Sequence, residues 1–139
     1  MRIESSEFRA RNLRVHALLH DVPLEDVWAI HLPDGGAGRT VQDVRAAFVA
    51  GVQSAPPVVQ GLFGLRRRLG SLFGWDRPHP EWEAESFASR LSPADRAQSV
   101  IPPGTPDGPF SLLYGFLDEQ LSELRNGTVH AFSSLSVRA

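Results

Sequence analysis

Apolar positions alternate at the two ends of this chain and follow helical steps between them. At residues 13–19 (LRVHALL), Val15, Ala17 and Leu19 fall on every second position and Asp21 and Pro23 follow, which predicts a short strand. From Leu24, LEDVWAIHL carries acidic residues where a first helical turn favours them, and predicts a short helix. Residues 33–38 (PDGGAG) are a loop by composition. Thr40 then stands as the N-cap of VQDVRAAFVAG, with Asp43 three positions on as a short capping-box acid and Gly51 as the expected end.

In the next stretch, PPVVQGLFGLRRRLGSLFGW, Val58, Leu62, Leu65, Leu69 and Leu72 alternate steps of four and three. That spacing predicts one helix over about 58–73, burying the four leucines and exposing most of the run Arg66, Arg67, Arg68. Gly61, Gly64 and Gly70 would each weaken it by roughly 1 kcal/mol relative to alanine. Residues 76–108 are rich in proline and charge and read as a long loop, interrupted by a helical turn starting at Ser92-Pro93-Ala94-Asp95. Alternation returns in FSLLYGFL, EQLSELR and TVHAFSSLSV, three strands joined near Asp118 and at Asn126-Gly127. Asn-Gly is a strong signal for a two-residue hairpin turn, because both central residues need positive φ. A strand, then grouped helices, then an antiparallel meander make an α+β domain.

A two-residue turn at Asn126-Gly127 sets Glu123 opposite His130. One face then holds Glu119, Leu121, Glu123 and Arg125 beside Thr128, His130 and Phe132. The other holds Gln120, Ser122 and Leu124 beside Val129, Ala131, Leu135 and Val137, and is the expected face for packing against helices. The first face mixes apolar and titratable groups, as a ligand cavity does, and as a solvated sheet does. The Glu123–His130 pair could hold a general base, while a plain structural cross-strand pair is the commoner occurrence.

The pieces LFGLRRRLGSLFGW, IPPGTPDGPFSLLYGFLDE and ELRNGTVHAF resemble an uncharacterised bacterial family related to the START-like, or helix-grip (SRPBCC-type), superfamily. The resemblance runs from about Val15 onward. It implies a curved antiparallel sheet wrapped round a long C-terminal helix with an apolar cavity between them. Relative to that pattern the chain stops at SVRA, one strand and the closing helix short, so the expectation is a single START-like domain over 1–139, truncated at its C-terminus. An unpaired edge and a bared apolar face would recruit a second copy, most simply as a twofold dimer, unless Trp75, Trp82 and Phe87 fold over the face instead.

Composition narrows the chemistry. The 139 residues suit one domain, 42% hydrophobic and 22% charged, as in an ordinary globular protein. A formal net charge of −2 provides no overall basic field for nucleic acid, and cysteine is absent, which excludes disulfides and thiolate chemistry. No secretory signal and no membrane span are read, so the expected location is cytoplasmic. His16 and His20 in HALLH would lie about 13 Å apart on a strand, too far to share a metal. The arginine run reads as a solvated helix face, PDGGAG lacks the lysine and hydroxyl of a phosphate loop, and no serine sits in a GxSxG elbow. No cofactor and no metal are expected.

Together these readings favour a binding module for a small apolar or amphipathic ligand lined by Glu119, Leu121, Glu123, His130 and Phe132. One alternative is a cyclase- or hydrolase-like enzyme with Glu123 and His130 in acid–base roles. The other is a protein-interaction module without a small ligand.

Overall fold

Helices come first along the chain and a four-stranded antiparallel sheet comes last. In the computed structural model, which describes residues 1–32, 35–75, 77, 86–127 and 129–137, the helices are α1 (Ser5–Arg9), α2 (Val15–Leu18), α3 (Val41–Gln53), α4 (Pro57–Phe73), a 3₁₀ helix (Phe87–Arg90) and α5 (Pro93–Gln98). The strands are β1 (Pro106–Asp107), β2 (Phe110–Gly115), β3 (Glu119–Arg125) and β4 (His130–Ser136), paired in the order β1-β2-β3-β4 with every pair antiparallel. The α+β class and the C-terminal meander agree with the pattern of the sequence.

The N-terminal strand does not form. Residues 15–18 are one helical turn, because Val15 and Leu18, which a strand would place on opposite faces, are i, i+3 partners on one side of a helix, and both are buried in that conformation. LEDVWAIHL is not helical either. It runs extended beside the N-terminus, where Ile3 N–H donates to the Val27 carbonyl and Ala29 N–H to that of Met1. Of the 76–108 stretch, 76 and 78–85 lie outside the described residues, and 86–108 hold more regular structure than their composition suggests. Within it Ser92 and Asp95 form a full capping box for α5, as the helical-turn reading requires.

The core is one face of the sheet. Leu121 on β3 lies across from Tyr114 on β2, and with Leu113 and Phe116 they pack against Val15 and Leu18 of α2 and Leu91. A register shift between Leu112 and Tyr114 lets Leu113 join that cluster. Ile101 lies directly against β2 at Gly115. A Cβ there would sit 3.0–3.2 Å from Ile101 side-chain carbons, so only glycine fits without displacing it.

α3 begins as predicted. Thr40 Oγ1 accepts from Asp43 N–H, and the Asp43 carboxylate accepts from Thr40 N–H at 2.8 Å, which holds that carboxyl below its usual range. The helix passes Gly51 and ends at Gln53. α4 turns away from it by 97° at Pro56-Pro57, where proline disfavours continuing the helix, and stops at Gly74 in the left-handed conformation (φ 70°).

The span of α4 matches the prediction, but its burial does not. Leu62, Leu65 and Leu72 are 63%, 53% and 76% exposed; of the four leucines Leu69 alone is partly covered, along with Val59 and Gly64, and Gly70 is buried. Amphipathic spacing says which side of a helix is apolar, not what covers it. The root of the α3–α4 arm is fixed to the sheet, since Val41 N–H donates to the Leu117 carbonyl and Arg45 pairs with Asp107 at 3.0 Å. Beyond Arg45 most side chains of the arm are exposed, and its far end returns to the β3–β4 loop, where a Cβ on Gly127 would lie 3.7 Å from the Gly74 carbonyl oxygen.

Candidate functional site

Four residues, 126–129, separate β3 from β4, and Arg125 rather than Glu123 faces His130. Asn126 N–H donates to the Val129 carbonyl, and Val129 N–H donates back to Asn126 Oδ1. The Asn side chain thus closes the loop, and the expected two-residue Asn-Gly turn is corrected by two positions. A shift of two preserves the face, because side chains repeat every second residue. Glu123 now faces Phe132 and meets His130 diagonally, with His130 Nε2 2.9 Å from Glu123 Oε1. Since a carboxylate only accepts, Nε2 carries the proton of that bond.

Both β3 carboxylates work as clamps. Glu119, 3% exposed, accepts from the N–H groups of Arg14 at 2.7 Å and Val15 at 2.8 Å, and from the Tyr114 hydroxyl. The two amides open α2 and have no partner within the helix, so the carboxylate both satisfies them and complements the helix dipole. Burial, and then the neighbouring Glu119 charge, push the Tyr114 phenol far above its ordinary value, keeping it a donor.

Glu123, also 3% exposed, does the same at the 3₁₀ helix. It accepts from Phe87 N–H at 3.1 Å, Ser86 Oγ at 2.9 Å and His130 Nε2, and Arg125 Nε stands 3.4 Å away. A second layer of ion pairs ties these helices together. Arg14 bonds Asp95 at 2.8 Å. Burial raises the Asp95 carboxyl, but the Arg14 and Ser92 donors outweigh it and hold the group below the usual carboxylate range. Arg90 grips Asp21 through two bonds of 2.6 and 2.8 Å, which lowers that carboxyl to about 2.

The sequence-predicted site residues therefore share one face, as expected, but they differ in what surrounds them. Glu119 and Leu121 lie inside the core, beneath α2. Glu123, His130 and Phe132 gather near the sheet edge, where the Phe87 ring lies 4.6 Å from Phe132 and 5.5 Å from His130, and His130 keeps a fifth of its side chain exposed. Ser86, Phe87 and Tyr114 complete this arrangement. Only a serine preceding an apolar residue, the mark of a helix start, could have signalled Ser86.

Helices pack on the face that was not expected to receive them. The other face is buried as well, and there Gln120 Nε2 (2.8 Å) and Ser122 Oγ (3.1 Å) bond the Asp107 carboxylate that Arg45 of α3 also holds. Of the proposed covering aromatics, Phe87 lies on the face, Trp75 stacks on Phe73 instead, and Trp82 is outside the described residues. Pro33 and Asp34 of PDGGAG are outside them too. His16 and His20 bond separate backbone carbonyls, those of Phe8 and Ala17, and among the described residues no His, Asp and Glu cluster could hold a metal. An open cleft of about 410 Å³ lies near the β2–β3 connection, lined by Gln98, Val100, Phe116, Leu117 and Asp118.

Residues 18–137 match the family described as Protein of unknown function (DUF2867). The chain belongs to that family. No curated protein and no solved structure matches it. The DUF2867 match takes in the arm, the 3₁₀ helix and all four strands, and so both clamping carboxylates. The two amides held by Glu119, from Arg14 and Val15, precede it.

Proposed function

We propose that the chain is a binding module for a small apolar or amphipathic molecule, seated where Phe87, His130 and Phe132 surround the Glu123 carboxylate. The observation that supports this reading is the half-buried ring cluster beside buried charge, with centroids 4.6–5.5 Å apart. Rings of this kind offer an apolar wall, while His130 and Arg125 supply polar partners for a head group. Glu119 and Leu121 form the floor beneath. In this reading the sheet under its helical layer is of the START-like, helix-grip kind, and a second copy adds at β4, the edge strand of the described sheet.

Glu123 as an acid–base catalyst is the weaker reading, because its lone pairs are already engaged by Ser86, Phe87, His130 and Arg125. Thermal-shift measurements with fatty and aromatic compounds against nucleotides test the proposal. The former should raise the melting temperature of the native chain and lose that effect in His130→Ala and Phe132→Ala. Stabilisation by nucleotides alone reverses the ranking. Light scattering decides the dimer.

A further inference from the structure

α4 exposes its apolar side and keeps its basic residues beside it. At about 100° per residue, Val58, Leu62, Leu65, Leu69, Leu72 and Phe73 fall within an arc of about 100°. Arg66 and Arg68 flank that arc at about 70° and 90° on either side, and Arg67 lies opposite. All three arginines are exposed. From Val44 to Trp75 the chain carries four arginines and no Asp, Glu or Lys, although its formal net charge is −2. The positive field is therefore local to the arm. At the C-terminal end of α4, Phe73 stacks on Trp75 at 5.1 Å and the Arg66 guanidinium stands 5.7 Å over the Trp75 ring.

We propose that α4 docks on an anionic lipid bilayer, lying along the interface with its leucine side in the acyl boundary. Flanking arginines can lay their stems on the apolar surface and raise their heads to the phosphates, and Trp75 stands at headgroup level. Three observations select this occupant. Two copies of α4 packed stripe to stripe would bring arginine rows together with no carboxylate on either α4 to face them. Exposed apolar side chains also continue onto α3, where Phe48 is 70% and Val52 42% exposed, which is more than a single groove-bound helix presents. Among the described residues no single helix is long and apolar enough to cross a membrane; α3 and α4 reach that length and apolarity only together, and they meet at 97°, a bend that suits a helix lying along the interface.

Co-sedimentation of the full chain with vesicles tests this, using phosphatidylcholine alone and phosphatidylcholine with about 30% phosphatidylglycerol. The native chain should partition onto the anionic vesicles and weakly onto the neutral ones. Arg66→Gln, Arg67→Gln and Arg68→Gln should each cost about fivefold, and the triple variant on the order of a hundredfold. Leu62→Glu with Leu65→Glu should remove binding. Both sets should unfold at the native temperature, because the side chains are exposed. A native chain that ignores anionic vesicles, or a triple variant that binds them as well as the native chain, overturns the proposal. A leucine variant that converts an oligomer to a monomer overturns it in favour of a second copy. Binding to immobilised polyglutamate with none to vesicles overturns it in favour of an acidic protein partner.

Discussion

The β3 face, with Leu121 between Glu119 and Glu123, is far poorer in apolar residues than the α4 stripe, yet it is the β3 face that is buried. On β3, Leu121 is fully buried between two carboxylates, Glu119 holding the first two amides of α2 and Glu123 the first amide of the 3₁₀ helix. On α4, four of five stripe residues stay in solvent, and the helix carries no acidic residue that could hold another element. The difference lies less in hydrophobicity than in anchors. Free amides at a helix start need an acceptor, and a strand that supplies a carboxylate at the right height draws the helix, with its apolar side, onto the sheet.

Removing an anchor should break this contrast most strongly. Glu119→Ala leaves two amides and the Tyr114 hydroxyl without their acceptor, and should cost about 4 kcal/mol in denaturant unfolding. A loss under 1 kcal/mol would show that the clamp does not hold α2. Next, Leu121→Ala should cost about 3 kcal/mol by opening a core cavity, whereas Leu65→Ala should stay within about 0.5 kcal/mol. Equal losses would mean the arm is covered in the free protein.

The legible parts were those whose cause is local. The Thr40 cap, the length of α4, the Ser92 turn and the three long strands each follow from residues within a few positions of one another. What was not legible depended on remote partners. Val15 and Leu18 suit a strand or a helical turn, and Glu119, over a hundred positions away, helps to choose the turn. The hairpin register depended on the Asn126 side chain bonding Val129 instead of Asn126 taking a central turn position. At the candidate site, the residues of the mixed face could be named from alternation alone. That Glu119 and Glu123 are committed to helix amides could not, because nothing in the spacing identifies which backbone will arrive.

Two titrations sharpen the contrast on the clamped side. Tyr114 ionises far less readily folded than unfolded. Its contribution is fully present below about pH 10 and declines above it by about 1.4 kcal/mol per unit. Unfolding between pH 9 and 11.5 should show this slope, and Tyr114→Phe should flatten it. Thr40→Ala should cost about 1 kcal/mol by removing the cap of α3. The smallest effect is expected at Asp21, whose folded value of about 2 lies below its unfolded one. Its contribution is present above about pH 3.9 and fades as the pH falls towards 2. Asp21→Asn should flatten that acid-side loss by lowering neutral stability slightly, towards the level the native chain reaches near pH 2.

The Glu119 clamp also constrains the order of events when the chain is made. A four-residue helix is far too short to persist alone, and its anchor is 105 positions later at Arg14. At roughly 5–20 residues per second, α2 waits on the order of 5–20 s after synthesis for the carboxylate that fixes it. The meander, built from neighbouring strands, closes on itself first, because nearby segments lose less entropy in meeting. Residues made about a hundred positions ahead of their anchor are thus among the last to settle. Until then Val15 and Leu18 are exposed, and this segment of the nascent chain stays open to proteases and chaperones.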